Sequence, residues 1–60
     1  MHELGIMATL LDDARAAAGN APIRAMKVRV GPLSGVVVEA LRFAFVALSP
    51  GTSAEGARLD

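Results

Sequence analysis

The chain has 60 residues, no cysteine, only two aromatic residues and a formal net charge of zero. This composition excludes disulfides and thiolate metal sites, and it lacks the basic surface and stacking platform typical of nucleic-acid-binding proteins. The sequence contains no run of about 18 apolar residues, so no membrane span is predicted. The start lacks the basic region of a secretory signal, so we expect the protein in the cytoplasm. From its length we expect a single small domain over residues 1–60. From its charge and hydropathy we expect no nucleic-acid or membrane partner.

The amino terminus carries the candidate metal site, because the only histidine, His2, directly follows Met1. The terminal amine, the His2 backbone nitrogen and the imidazole are linked closely enough to chelate one ion without a fold. Three converging nitrogens favour square-planar Ni(II) or Cu(II). Glu3 could complete the plane with its backbone nitrogen, or its carboxylate could orient the imidazole or bind axially. The alternative is that a lone histidine here is incidental.

The first predicted element is an amphipathic helix that follows this terminus. Apolar side chains recur at helical spacing from Leu4 to Ala18. Gly19 and Asn20 supply a left-handed stop, and Pro22 prevents the helix from resuming.

A strand is predicted next, because apolar and basic residues alternate over residues 25–30. The following Gly31-Pro32-Leu33-Ser34-Gly35 segment lacks the Gly-Lys-Ser/Thr ending of a phosphate loop, and its proline removes one amide from any phosphate cradle. We interpret it as a tight turn in which Ser34 caps the next helix.

The second helix is predicted over residues 36–48 and is apolar on nearly every side. Only Glu39 and Arg42 interrupt it, three residues apart and able to pair. Such a helix is normally buried on more than one side. Pro50 and Gly51 end it, and residues 57–60 begin a second strand with Leu59 directed inward.

Several segments, in this order and spacing, closely resemble the amino-terminal half of the HypA/HybF family of hydrogenase-maturation nickel metallochaperones. They are Met1-His2-Glu3-Leu4, residues 28–35 (Val-Arg-Val-Gly-Pro-Leu-Ser-Gly), residues 39–45 (Glu-Ala-Leu-Arg-Phe-Ala-Phe), Gly51-Thr52 and residues 55–59 (Glu-Gly-Ala-Arg-Leu). The resemblance spans essentially the whole chain.

The resemblance implies a two-layer α+β fold, with two helices packed on one face of a small mixed sheet and the order helix, strand, helix, strand stub. It also implies Ni(II) bound at Met1, His2 and Glu3, and delivery to the hydrogenase large subunit with the partner GTPase HypB. Full-length relatives continue into a module where two Cys-x-x-Cys pairs hold a structural Zn(II). Those cysteines are absent here, so residues 1–60 are expected to be a truncated nickel-binding domain.

Catalysis is not predicted, because the only histidine is terminal and Asp12 and Asp13 point in different directions from their helix. The alternative function is a protein-interaction or oligomerisation module that uses the apolar second helix without metal. The third strand of the family sheet would follow the absent zinc module. Its absence leaves a sheet edge open to pairing, which predicts poor independent stability or a homodimer.

Overall fold

A computed structural model describes residues 2–60 of the chain as two helices and two short strands. Helix α1 spans Glu3–Ala18, strand β1 Ala25–Met26, helix α2 Val38–Leu48 and strand β2 Arg58–Leu59. The predicted α+β class and the order helix, strand, helix, strand are confirmed. Gly19, with φ of 65°, follows α1, and Gly51, with φ of 78°, lies just beyond α2, which are backbone conformations that glycine adopts without steric cost.

The two strands pair in parallel, with Ala25 beside Arg58 and Met26 beside Leu59. The ladder continues past the strand assignment, because the Asp60 amide donates to the Met26 carbonyl at 2.8 Å and the Val28 amide donates to the Asp60 carbonyl at 3.2 Å. The prediction of a strand as far as Val30 was wrong, since a strand needs a paired neighbour and, among residues 2–60, the chain has none for β1 beyond Val28.

The helices cover one face of this sheet and run in the same direction. Glu3 of α1 contacts the start of α2 at Val37, whereas residues 8–15 of α1 lie beside Leu48 near the end of α2. The core is built from apolar side chains of both helices, β1 and the last loop: Met7, Leu11, Met26, Leu41, Ala44, Phe45 and Ala54. The side of the sheet that carries Met26 and Leu59 therefore faces the helices.

Helix α2 starts later than predicted and without a side-chain cap of its own. Its cap residue is Val37, and Ser34 lies too far back: the Ser34 Oγ accepts a hydrogen bond from the Val36 amide at 3.2 Å, outside the helix. The prediction that Ser34 caps α2 was wrong. Because valine has no acceptor, the first amides of the helix must find one elsewhere.

The outer side of α2 remains exposed. Phe43 is 75% exposed and Val46 is 68% exposed, whereas Leu41, Ala44 and Phe45 are buried. Within residues 2–60, α2 is buried on the side that faces α1 and the sheet, and its remaining apolar surface has no neighbour there. Arg42 does not pair with Glu39 as the sequence indicated; its Nη1 donates to the Leu59 carbonyl at 3.1 Å.

The two edges of the sheet differ in how they are covered. The Arg42 guanidinium occupies the outer edge of β2 at Leu59. Ala25, Lys27 and Arg29 direct their backbone groups to the other edge, where no partner lies within the described part of the chain. An open groove of about 640 Å³ separates this edge from the second half of α1.

No helix among the described residues has both the length and the apolar character needed to cross a membrane.

Candidate metal centre

His2 lies at the start of α1 and makes no side-chain hydrogen bond to the helix. It is the cap residue of the helix, with extended backbone angles of φ −108° and ψ 108°, and its carbonyl accepts a hydrogen bond from the Ile6 amide at 3.1 Å. The imidazole does not cap the helix, and within residues 2–60 it has no hydrogen-bond partner. The backbone of His2 is therefore fixed to the helix while both ring nitrogens remain available to a ligand.

The first amides of α1 are also outside the helical hydrogen-bond ladder. In any α-helix the first four amides have no intrahelical acceptor, so the nitrogens of His2 and Glu3 can lose their protons without breaking a helical bond. The positive end of the helix dipole favours the negative charge that this deprotonation creates. The helix start thus supplies adjacent backbone nitrogens beside an imidazole that has no hydrogen-bond partner in the described part of the chain.

The Glu3 carboxylate is directed to the other helix. Its Oε2 accepts a hydrogen bond from the Val37 amide at 3.0 Å, across 34 residues of sequence. This bond, followed by one from the backbone amide of Glu3 itself, lowers the pKa of the Glu3 carboxyl below its usual value. The carboxylate is consequently ionised at neutral pH and already serves as an acceptor for the start of α2.

A shallow depression of about 310 Å³ borders the histidine. It is lined by residues of both helices: His2, Glu3, Leu4, Ala40, Phe43 and Ala44. Apart from His2 and Glu3 the lining is apolar, and Leu4 and Phe43 are both largely exposed. The candidate site is therefore open to solvent on one side and flanked by a hydrophobic surface.

Of the predicted ligands, the structure places His2 and Glu3 side by side, while Met1 lies outside the described residues. Across residues 2–60, no group of three or more histidine, cysteine or carboxylate side chains lies close enough to hold a metal ion. Any metal bound here would thus depend on backbone nitrogens and the single imidazole. Sequence reasoning missed Val37, whose amide binds Glu3; the only available signal was a helix start without a capping side chain.

Comparison with known proteins places the chain in a family of nickel-incorporation metallochaperones. A family model described as "Hydrogenase/urease nickel incorporation, metallochaperone, hypA" matches residues 1–60. The chain belongs to the HypA family.

The curated relatives carry the name hydrogenase maturation factor HypA. The chain is 48% identical to the protein of a Roseiflexus species, over all of this chain and 51% of the relative. It is 47% identical to the protein of Chloroflexus aurantiacus, over 98% of this chain and 54% of the relative. It is 41% identical to the protein of Azotobacter vinelandii, over 100% of this chain and 56% of the relative. The chain thus spans about half the length of the curated relatives it matches. No solved structure matches it significantly.

Proposed function

We propose that residues 1–60 form the nickel-binding domain of a metallochaperone, which binds Ni(II) at its amino terminus and delivers it during [NiFe]-hydrogenase maturation. The Met1 amine, the His2 imidazole and the His2 backbone nitrogen supply three donors, and the Glu3 backbone nitrogen completes the plane. The observation that carries this proposal is the His2 imidazole, which has no hydrogen-bond partner within residues 2–60 and lies beside backbone nitrogens that the helix does not use. Family membership supports nickel as the cargo.

The chemistry of this donor set suits a carrier. Nitrogen donors in a plane match the preference of Ni(II) for tetragonal sites, although Cu(II) should bind at least as tightly by the Irving–Williams order. Because ligands must lose protons to bind, affinity is set by pH as well as by geometry. A site at an exposed chain end can pass its ion to a second protein, which a closed cage would hinder.

The partners in this proposal are a HypB-type GTPase and the hydrogenase large subunit, in the cytoplasm. The names of the relatives support hydrogenase maturation as the process. The exposed surface around Leu4 and Phe43 next to His2 would let a recipient protein approach the ion closely.

The terminal amine can be tested by extending the chain. Two glycines placed before Met1 are expected to abolish high-affinity nickel binding, since they move the amine away from His2 and convert the Met1 nitrogen into an amide. The measurement is calorimetric titration with Ni(II) at pH 7. The same two residues added after Asp60 serve as the control and should leave the affinity unchanged. Equal affinities for the two extended proteins would contradict the proposal.

A second candidate function, an interaction or oligomerisation module that needs no metal, is favoured by the exposed side of α2. Phe43 and Val46 present adjacent apolar surface on a helix whose other side is packed. Exposed apolar side chains that adjoin one another in a contiguous patch mark contact surfaces, whereas isolated ones do not.

Sedimentation separates the two functions. If α2 mediates self-association, sedimentation equilibrium of the metal-free protein is expected to show a concentration-dependent dimer, and Phe43→Ser should shift it to monomer. Leu33→Ser, at a side chain that is 97% exposed on the turn, is the matched control. A metal-free monomer at all concentrations would argue against the module, as would a dimer that Phe43→Ser leaves intact.

A further inference from the structure

We propose that Glu3 is a positioning residue: its carboxylate holds the metal-binding start of α1 against the start of α2 and stays outside the coordination shell of nickel. This inference rests on the proposed function, and it concerns only the side chain of Glu3, whose backbone nitrogen remains a nickel donor.

The first support is the need of α2 for an acceptor. Val37 caps the helix but has no side-chain acceptor, and its amide precedes the first helical residue. The Glu3 Oε2, 3.0 Å away, supplies that acceptor from the other helix. A carboxylate that moved to a metal ion would compete with this bond and leave the amide at the start of α2 unpaired.

The second support is the position of Glu3 in the chain. Glu3 is the first residue of α1 and directly follows His2, whose carbonyl is held by the Ile6 amide. The bond from Glu3 to Val37 therefore sets where the His2 backbone lies relative to α2 and to the depression lined by Phe43. A donor set with so few side chains gains affinity when its backbone is held in place before binding.

Three substitutions separate a positioning role from ligation. Glu3→Gln keeps an oxygen that can accept from the Val37 amide, so nickel affinity is expected to stay within about threefold of the parent protein. Glu3→Ala removes the acceptor and should weaken binding at least about tenfold, the range usual for lost supporting contacts at metal sites. Val37→Pro removes the donor instead, leaves Glu3 intact and should weaken binding as much as Glu3→Ala.

The matched control for the proline variant is Val38→Pro, at the first helical position, where proline is well tolerated and the Val37 amide is retained. It should bind nickel like the parent. In the double variant Glu3→Ala/Val37→Pro, affinity should fall no further than in either single variant, because both remove the same bond. The visible absorption of the nickel complex should keep the same maxima in all variants.

Two outcomes would overturn the inference. The first is a loss with Glu3→Gln equal to that with Glu3→Ala, together with shifted absorption maxima, which would identify the carboxylate as a ligand. The second is parent-like binding by Glu3→Ala. Either result leaves the proposed function standing, provided that His2→Ala abolishes binding. Parent-like binding by His2→Ala would instead defeat the proposed function itself.

Discussion

His2→Ala is expected to abolish nickel binding, with a loss of at least about 100-fold in affinity. Substitutions of residues that only support metal ligands already cost 10- to 100-fold, and this one removes the sole imidazole of the chain. Within residues 2–60 no second group of metal-binding side chains is present to replace it. Titration of the metal-free protein with Ni(II) at pH 7, followed by visible absorption, measures the effect.

The matched control is Asp12→Ala, an exposed acidic residue of the same helix that lies away from the start of α1. It should bind nickel like the parent protein. Far-ultraviolet circular dichroism should show the same helix content for both variants, because within residues 2–60 the imidazole makes no hydrogen bond that caps α1. If His2→Ala retained the parent affinity, the terminal nitrogen site would be wrong.

Met7→Ala is expected to unfold much of the population at 25 °C. Met7 is 0% exposed and lies at the centre of the core. Truncating a buried methionine costs about 2–5 kcal/mol, whereas the core of a chain this short supplies no more than about 3–5 kcal/mol in total. Urea and thermal unfolding, followed by circular dichroism, measure the loss of stability.

Leu33→Ala is the matched control, because Leu33 is 97% exposed in the turn before α2. Its removal should change the free energy of unfolding by less than about 0.5 kcal/mol, as is usual for surface positions. For a domain of this size, 2 kcal/mol corresponds to a fall in Tm of about 8 °C or more. A Met7→Ala protein that melted within 2 or 3 °C of the parent would show that the described core is not the stabilising one.

The helices could be predicted because their signals are local. The apolar spacing of α1 and the Gly19 stop depend only on neighbouring residues, and the observed helix differs from the predicted one by a single residue at its start. Which side of α2 is buried could not be predicted in this way, because that helix is apolar on nearly every side, and Leu41, Ala44 and Phe45 are buried by their contacts with other elements.

The length of the strands and the contacts at the start of α2 could not be predicted, because they depend on residues that are distant in sequence. Alternation over residues 25–30 predicts strand character, but the length of β1 is decided by where β2 faces it. Ser34 precedes α2 as a capping residue would, yet the acceptor comes from Glu3, which is distant in sequence. The contact between the Glu3 carboxylate and the Val37 amide likewise joins residues that are far apart in the chain. None of these contacts leaves a periodic signal in the chain.

The parallel arrangement of the helices has an electrostatic consequence for cargo. Both helices begin beside Glu3, so the partial positive charges of two peptide dipoles meet at one place. At the two helix starts these positive charges repel a bare dication, whereas they stabilise a deprotonated, anionic backbone nitrogen. A divalent ion that displaces two amide protons forms a complex with the two anionic nitrogens that has no net charge. The helix dipoles do not repel such a neutral complex. If nickel is held by the proposed donor set, its release would require those protons to return, and the departure of the ion would be coupled to the acidity of the solution.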